Sequence, residues 1–407
     1  MRSEKLVFTN AKGQQLAARL DFPVTRKPGA YALFAHCFTC SKNLNAVRNI
    51  NRALTAQGIA VLRFDFTGLG ESEGDFTNTN FSSNIDDLLS AAEFLAKEYE
   101  GPQILIGHSL GGAAVLQAAA EIPSCKAVVT IGAPCDPAHV LQLLNDARET
   151  IEASGEAEVE LAGRQFKIKK QFLDDLETTR MKEKIAKLKK ALLIFHSPMD
   201  NTVGIENARH IYETAKHPKS FITLSNADHL LTKEEDSCYV GDVITAWAKR
   251  YITLEHTVEL LGEERGTVVV RTGRDHYYTE ILANGHPIVA DEPEKLGGTN
   301  LGAAPYDLLS AALGACTTIT VRMYADRKEW PMESITVRIN HRKVDAKDCD
   351  ECHSETGKVD IFDRELEIIG DLSEEQRARL FEIADRCPVH RSLHGETLVR
   401  SKLKSVD

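Results

Sequence analysis

Short apolar runs punctuate the first two-thirds of the chain: YALFAH (31–36), IAVLRFDF (59–66), QILIG (103–107), KAVVTIG (126–132), ALLIFHS (191–197) and KSFITL (219–224). They are rich in β-branched and aromatic residues and too short for helices, so they read as buried strands. Between them lie stretches with helical spacing of apolar positions, at 43–57, 83–99, 110–121, 205–215 and 234–251. Strands alternating with helices predict a mainly parallel sheet covered on both faces. The stretch 137–188 breaks the rhythm. It is long and charged, and it predicts a mostly helical lid inserted into the sheet domain.

Beyond about residue 253 the periodicity changes. HTVELLGEERGTVVVRTGRDHYYTEILANG alternates apolar and polar positions, with turns at Gly262, Gly273 and Asn284–Gly285. A Gly/Pro-rich loop leads into LSAALGACTTITVRMYA (309–325), whose small and apolar residues predict a helix buried all round. Two further strands, a helix over 373–386 and a final strand after CPVHRSL complete an α+β pattern. The expected division is therefore 1–252, with the lid, and 256–407.

A length of 407 residues fits two cores better than one. The net charge of -11 argues against nucleic acid or an anionic membrane as partner. The amino terminus lacks the apolar core of a signal peptide and no apolar run is read as reaching spanning length, so the expectation is a cytoplasmic protein without a membrane span. Nine cysteines in a reducing compartment argue against a static disulfide framework, so any cysteine chemistry is expected to be metal binding or redox turnover.

ILIGHSLGG places Ser109 between Gly107 and Gly111, after a strand and before a helix, which is the setting of a nucleophile elbow. A serine nucleophile needs a base, and the base an orienting acid. His229, in LSNADHLL, follows one later strand, and Asp200, in HSPMDNTV, follows another. Asp228 is a rival acid, and Asp200 has the alternative of capping a helix. The oxyanion hole is expected from the N–H groups of Leu110 and Phe38, the latter in AHCFTCSKN. With RFDFTGLGESEG, these motifs resemble the α/β-hydrolases, which implies a serine hydrolase acting on an ester or thioester without a cofactor. Cys37 stands where that family has glycine. Cys37 and Cys40 form a CxxC, read as loop packing.

In the last third, Cys316 sits mid-helix, Cys387 opens CPVH at a helix end, and Arg274 lies in the polar loop TGRD. A buried free cysteine is ordinarily inert. However, TGRD, AAPYDLLSAALGAC and RCPVH together resemble the OsmC/Ohr organic hydroperoxide reductases over most of residues 256–405. The resemblance implies that Arg274 stabilises a reactive Cys316 thiolate and that Cys387 resolves it. It also implies an organic hydroperoxide as substrate, an external dithiol reductant, and a homodimer of intertwined OsmC-like domains. The family's peroxidases carry a glutamate ten residues before the cysteine; here Tyr306 holds that place, with Asp307 beside it. A non-catalytic dimerisation or ligand-binding module is the alternative. Cys349, Cys352 and His353, with His341 upstream, have zinc as an alternative, but read as a charged hairpin loop with incidental thiols, so no metal is expected.

Overall fold

In a computed structural model, the described residues are 2–23, 27–36, 42, 44–139, 145–161, 164–254, 267–273, 276–284, 286–348 and 356–403. The chain divides into two compact units, Met1–Arg271 with Leu282–Pro287, and Thr272–Ile281 with Ile288–Asp407. The expected boundary falls between 252 and 256; residues 255–266 lie outside the described residues.

The six apolar runs are all strands of one sheet. Strands β1 (Arg2–Thr9), β2 (Gln15–Phe22), β3 (Ala30–Ala35), β4 (Ile59–Phe64), β5 (Ile104–His108), β6 (Ala127–Ile131), β9 (Ala191–His196) and β10 (Lys219–Thr223) are ordered β1-β2-β4-β3-β5-β6-β9-β10. Strands β4, β3, β5, β6, β9 and β10 run parallel, and the antiparallel hairpin β1–β2 joins at one edge through an antiparallel β2–β4 pairing. Alternate residues of the buried strands feed two cores. Leu33, Leu62, Leu105 and Val128 face one, with helices α2 (Phe81–Glu98) and α3 (Leu110–Ala118). Phe34, Val61, Ile106 and Val129 face the other, with α1 (Asn45–Ala56) and α8 (Glu234–Ala248). Fully burying each such side chain contributes about 1.5–3 kcal/mol before entropy is counted.

The inserted segment differs from the helical expectation. It holds α4 (Asn145–Ser154), α5 (Lys170–Thr178) and α6 (Met181–Ala186), and also an antiparallel hairpin, β7 (Glu156–Leu161) with β8 (Arg164–Lys169). The hairpin follows from sequence alternation: Val159, Phe166 and Ile168 are buried while the residues beside them are charged or polar. Helix α7 (Glu206–Thr214) follows β9.

In the last third, β11 (Val268–Thr272), β12 (Thr279–Ala283) and β13 (His286–Ala290) form one small sheet, and β14 (Met332–Asp345) with β15 (Lys358–Gly370) another. Helix α9 (Pro305–Arg327) carries Cys316. Helices α10 (Glu374–Ala384) and α11 (Pro388–His394) follow β15. Val321, Ala325, Met332, Leu380 and Ile383 form the local core. Two expectations fail here. Helix α9 is not buried all round: only Leu313, Thr317, Val321 and Ala325 are covered, while Ile319 and Met323 are exposed. Residues 395–403 form no strand. Among the described residues, α9 is long and apolar enough to cross a membrane by length and composition, a test that the core helix of a soluble protein also passes.

Candidate active site

Three strand ends of the large sheet deliver the predicted groups. Strand β5 runs into Ser109, which has φ 55° and ψ −126° before α3 begins. A non-glycine residue held there costs about 1–3 kcal/mol, tolerated only where the surroundings fix it. Here the Ser109 N–H donates to Ile131 O at 2.8 Å and Gly112 N–H to Ser109 O at 2.8 Å. The flanking glycines are steric necessities. A Cβ on Gly107 would lie 2.3 Å from Gly111 O, and one on Gly111 would lie 2.4 Å from Ala35 O. The elbow is thus folded tightly enough to lift its hydroxyl off the sheet.

His229 lies in the loop after β10. Its Nε2 is 3.0 Å from Ser109 Oγ and its Nδ1 is 2.7 Å from Asp200 Oδ2. A carboxylate only accepts, so Nδ1 carries the proton and Nε2 is free to accept from the serine hydroxyl. Asp200, in the turn after β9, is 7% exposed, and its other oxygen accepts the Thr202 and Val203 N–H groups, both at 2.9 Å. Burial pushes the Asp200 carboxyl up, but its bonds from His229, Val203 and Thr202 outweigh that and hold it below the usual carboxylate range. The rival Asp228 is occupied otherwise: it accepts the Thr232 N–H at 3.0 Å and the Thr232 hydroxyl, closing its own turn.

Leu110, the first residue of α3, is buried beside the elbow. Phe38, Cys37 and Cys40 lie outside the described residues. The chain next to them is strongly fastened. Lys42, 1% exposed, gives its main-chain N–H to Asp65 Oδ1 at 2.8 Å, pairs through its ammonium with Asp65, and reaches Glu71 Oε2 at 2.8 Å. A lysine so buried is tolerable only when its charge is met.

Several residues of this site were not singled out in the sequence. Gly132, at φ +54°, sits against the acid–base pair; a Cβ there would lie 3.2 Å from Asp200 Oδ2 and 3.3 Å from His229 Nδ1. His108 and His196 are buried at the ends of β5 and β9. The only sequence signal for the first was its place beside Ser109.

In the second unit Cys316 is partly exposed and Cys387 fully buried, and both are free thiols. The structure sets Cys387 Sγ 3.6 Å from the hydroxyl of Thr317, the residue after Cys316, and 3.3 Å from the His390 N–H. Arg364 of β15 was missed by sequence reasoning. Its guanidinium donates to Thr317 Oγ1 at 3.2 Å and pairs with Asp385. Arg274, Cys349, Cys352 and His353 lie outside the described residues.

Tyr306 stacks flat on His341, with centroids 4.1 Å apart and planes at 5°. His341 Nε2 bonds Asp360 Oδ1 at 2.7 Å, and Lys343 lies over the Tyr306 ring. Asp307 caps its own helix, accepting the Ala304 N–H at 3.1 Å. Tyr306 and Asp307 are thus each committed to other partners. Among the described residues, no group of three or more His, Cys, Asp or Glu is arranged to hold a metal ion.

Comparison with known proteins matches two family models, serine aminopeptidase S33 over residues 33–167 and OsmC-like protein over residues 298–402. A 92-residue stretch is 36% identical to mouse palmitoyl-protein thioesterase ABHD10, mitochondrial, covering 22% of this chain and 30% of that protein. Another, of 129 residues, is 31% identical to human monoglyceride lipase, covering 31% and 42%. The chain thus spans less than half the length of these curated relatives. The crystal structure of the esterase domain from a Rhodothermus marinus protein is 56% identical, at a TM-score of 0.54, over 62% of this chain and 100% of that one. Mouse alpha/beta hydrolase domain-containing protein 10 shares the fold at 21% identity and a TM-score of 0.51, over 61% of this chain and 99% of that one. The chain belongs to the α/β-hydrolases and carries, carboxyl-terminal to its hydrolase fold, an OsmC-like domain.

Proposed function

We propose that the protein is a serine hydrolase that cleaves acyl esters or thioesters, with Ser109 as nucleophile, His229 as general base and Asp200 as orienting acid. The single observation that carries this is the continuous chain of hydrogen bonds from Ser109 Oγ to His229 Nε2 and from His229 Nδ1 to Asp200, at 3.0 and 2.7 Å. In the first step the imidazole takes the hydroxyl proton as Oγ attacks the acyl carbonyl. The oxyanion is received by the Leu110 N–H, with Phe38 as second donor. The imidazolium then returns the proton to the leaving alcohol or thiol, and water repeats the cycle on the acyl-enzyme. Asp200, kept ionised, stabilises the imidazolium. The palmitoyl-protein thioesterase and esterase named above support an acyl substrate. Assays with p-nitrophenyl acyl esters and acyl thioesters test it: wild type turns over at least one series and Ser109→Ala none. Turnover retained by the alanine variant overturns the proposal.

The OsmC-like domain is proposed as a thiol-dependent peroxidase for organic hydroperoxides. Two features support this: both thiols are free, and Cys387 Sγ touches the neighbour of Cys316. The Cys316 thiolate displaces alkoxide from the peroxide and becomes a sulfenic acid. Cys387 then forms the disulfide with loss of water, and an external dithiol reduces it. The poorly covered α9 and the two small separate sheets favour a homodimer through this domain. Brief exposure to cumene hydroperoxide should remove two daltons, mapped to Cys316 and Cys387. A chain that stays reduced, and that consumes no peroxide with a lipoyl dithiol, leaves the non-catalytic module as the better account.

A further inference from the structure

Two of the three triad residues sit on irregular chain. His229 lies in a loop without regular structure between β10 and α8, and Asp200 in a turn after β9. Such segments hold a side chain to a fraction of an ångström only if their main chain is itself held. His108, the last residue of β5 and 5% exposed, places Nε2 2.6 Å from the main-chain carbonyl of His229, with its ring 5.1 Å from the His229 ring. His196, the last residue of β9 and 1% exposed, places Nε2 2.7 Å from the carbonyl of Val203. The N–H of that same Val203 is one of the two that hold Asp200.

A carbonyl accepts only, so both imidazoles carry their proton on Nε2 and donate it. Both are also kept uncharged. Burial, then the nearness of His229, pushes His108 down to about 3, and burial lowers His196. Neutrality matters beside a base that turns into an imidazolium, because a second cation next to it would oppose that charge. Packing alone does not account for His196: its Nδ1 is buried without a hydrogen-bond partner, a cost of about 1–3 kcal/mol that an apolar side chain would avoid.

We propose that His108 and His196 are positioning residues of the hydrolase, neutral donors that rise from rigid strand ends to hold the main chain of the base's loop and the acid's turn. The inference rests on the serine-hydrolase reading. It deepens that reading by assigning the geometry of the triad to two side chains outside it.

The test uses the full-length protein, a fluorophosphonate probe that reports Ser109 reactivity, and an acyl ester the wild type turns over. His108→Leu keeps the volume and loses the donor; His108→Gln restores an N–H near the same place. The expected result for His108→Leu is a fall of about ten- to a hundredfold in kcat and in the probe rate, with KM within about twofold of wild type. His108→Gln recovers most of the loss, and His196→Leu shows the same split. Thermal melts establish that each variant is folded. If His108→Leu does not fold, His108→Asn, whose amide stops short of the carbonyl, replaces it. The proposal is overturned if the leucine (or asparagine) variant reacts within about twofold of wild type, or if glutamine restores nothing. A wild type that the probe fails to label sinks the serine-hydrolase reading itself, an outcome separable from either of these.

Discussion

The two thirds of the chain that form the hydrolase and the third that forms the OsmC-like domain treat their reactive groups in opposite ways. In the first, serine, imidazole and carboxylate come from three strand ends of one eight-stranded sheet and meet within hydrogen-bond distance inside one chain. Around them glycines are dictated by contact and buried histidines hold the loops. In the second, Cys316 stands on a helix covered along one stripe, the strands are split between two small sheets, and Tyr306 is committed to His341. One sheet carries every part of the first site, whereas the strands around Cys316 belong to two separate small sheets.

The largest effect that sharpens this contrast is a separation of activities. Ser109→Ala should lower ester turnover on the order of 10⁴-fold or more, leaving hydroperoxide consumption intact. Cys316→Ser should do the reverse. Steady-state assays of both variants on both substrates decide it, and loss of both activities in either variant would break the comparison. Next, Asp200→Asn should reduce kcat by about 10⁴-fold, because an amide favours the wrong His229 tautomer, with KM nearly unchanged. Asp228→Asn, in a group that closes only its own turn, should leave kcat within about threefold.

A stability effect should follow the buried histidine. In the folded chain His108 stays neutral down to about 3, whereas unfolded it takes up a proton near 6.5. Its contribution is therefore whole above about pH 6.5 and declines as pH falls toward 3, by an amount on the order of 4 kcal/mol. Denaturant melts across that window should show a shallower acid decline for the hydrolase transition in His108→Gln than in wild type. Equal slopes would remove His108 as the cause.

Smaller still, Gly132→Ala should cost about 1–2 kcal/mol, since alanine at φ +54° is strained and its methyl presses on Asp200 and His229. Ester kcat should fall with it, while the peroxide reaction is untouched. Urea midpoints and both assays on the same preparation check this.

Much of the first site was legible because its chemistry imposes local sequence. An elbow needs Gly107 and Gly111 at fixed offsets from Ser109, and the parallel sheet orders serine, acid and histidine along the chain. The six core strands were equally visible as apolar runs. The edge hairpin β1–β2 and the inserted hairpin β7–β8 were not, because polar and charged residues interrupt their apolar ones and leave no long apolar run. His108 and His196 were invisible because their partners are backbone atoms brought near by folding. Sequence flagged Tyr306 as a departure, but its stacking on His341 depends on β14 lying across α9. The exposure of Ile319 and Met323 on α9 was hidden because small and apolar residues continue round that helix beyond the stripe that the fold covers.

The central claim is that folding turns Ser109 into a nucleophile served by His229. Active-site titration of the folded wild type with a fluorophosphonate, followed by peptide mapping, tests it most directly. One probe per chain on Ser109, absent from Ser109→Ala and strongly slowed in His229→Gln, is the predicted result. A folded chain that takes up no label, or carries it on another residue, contradicts the account.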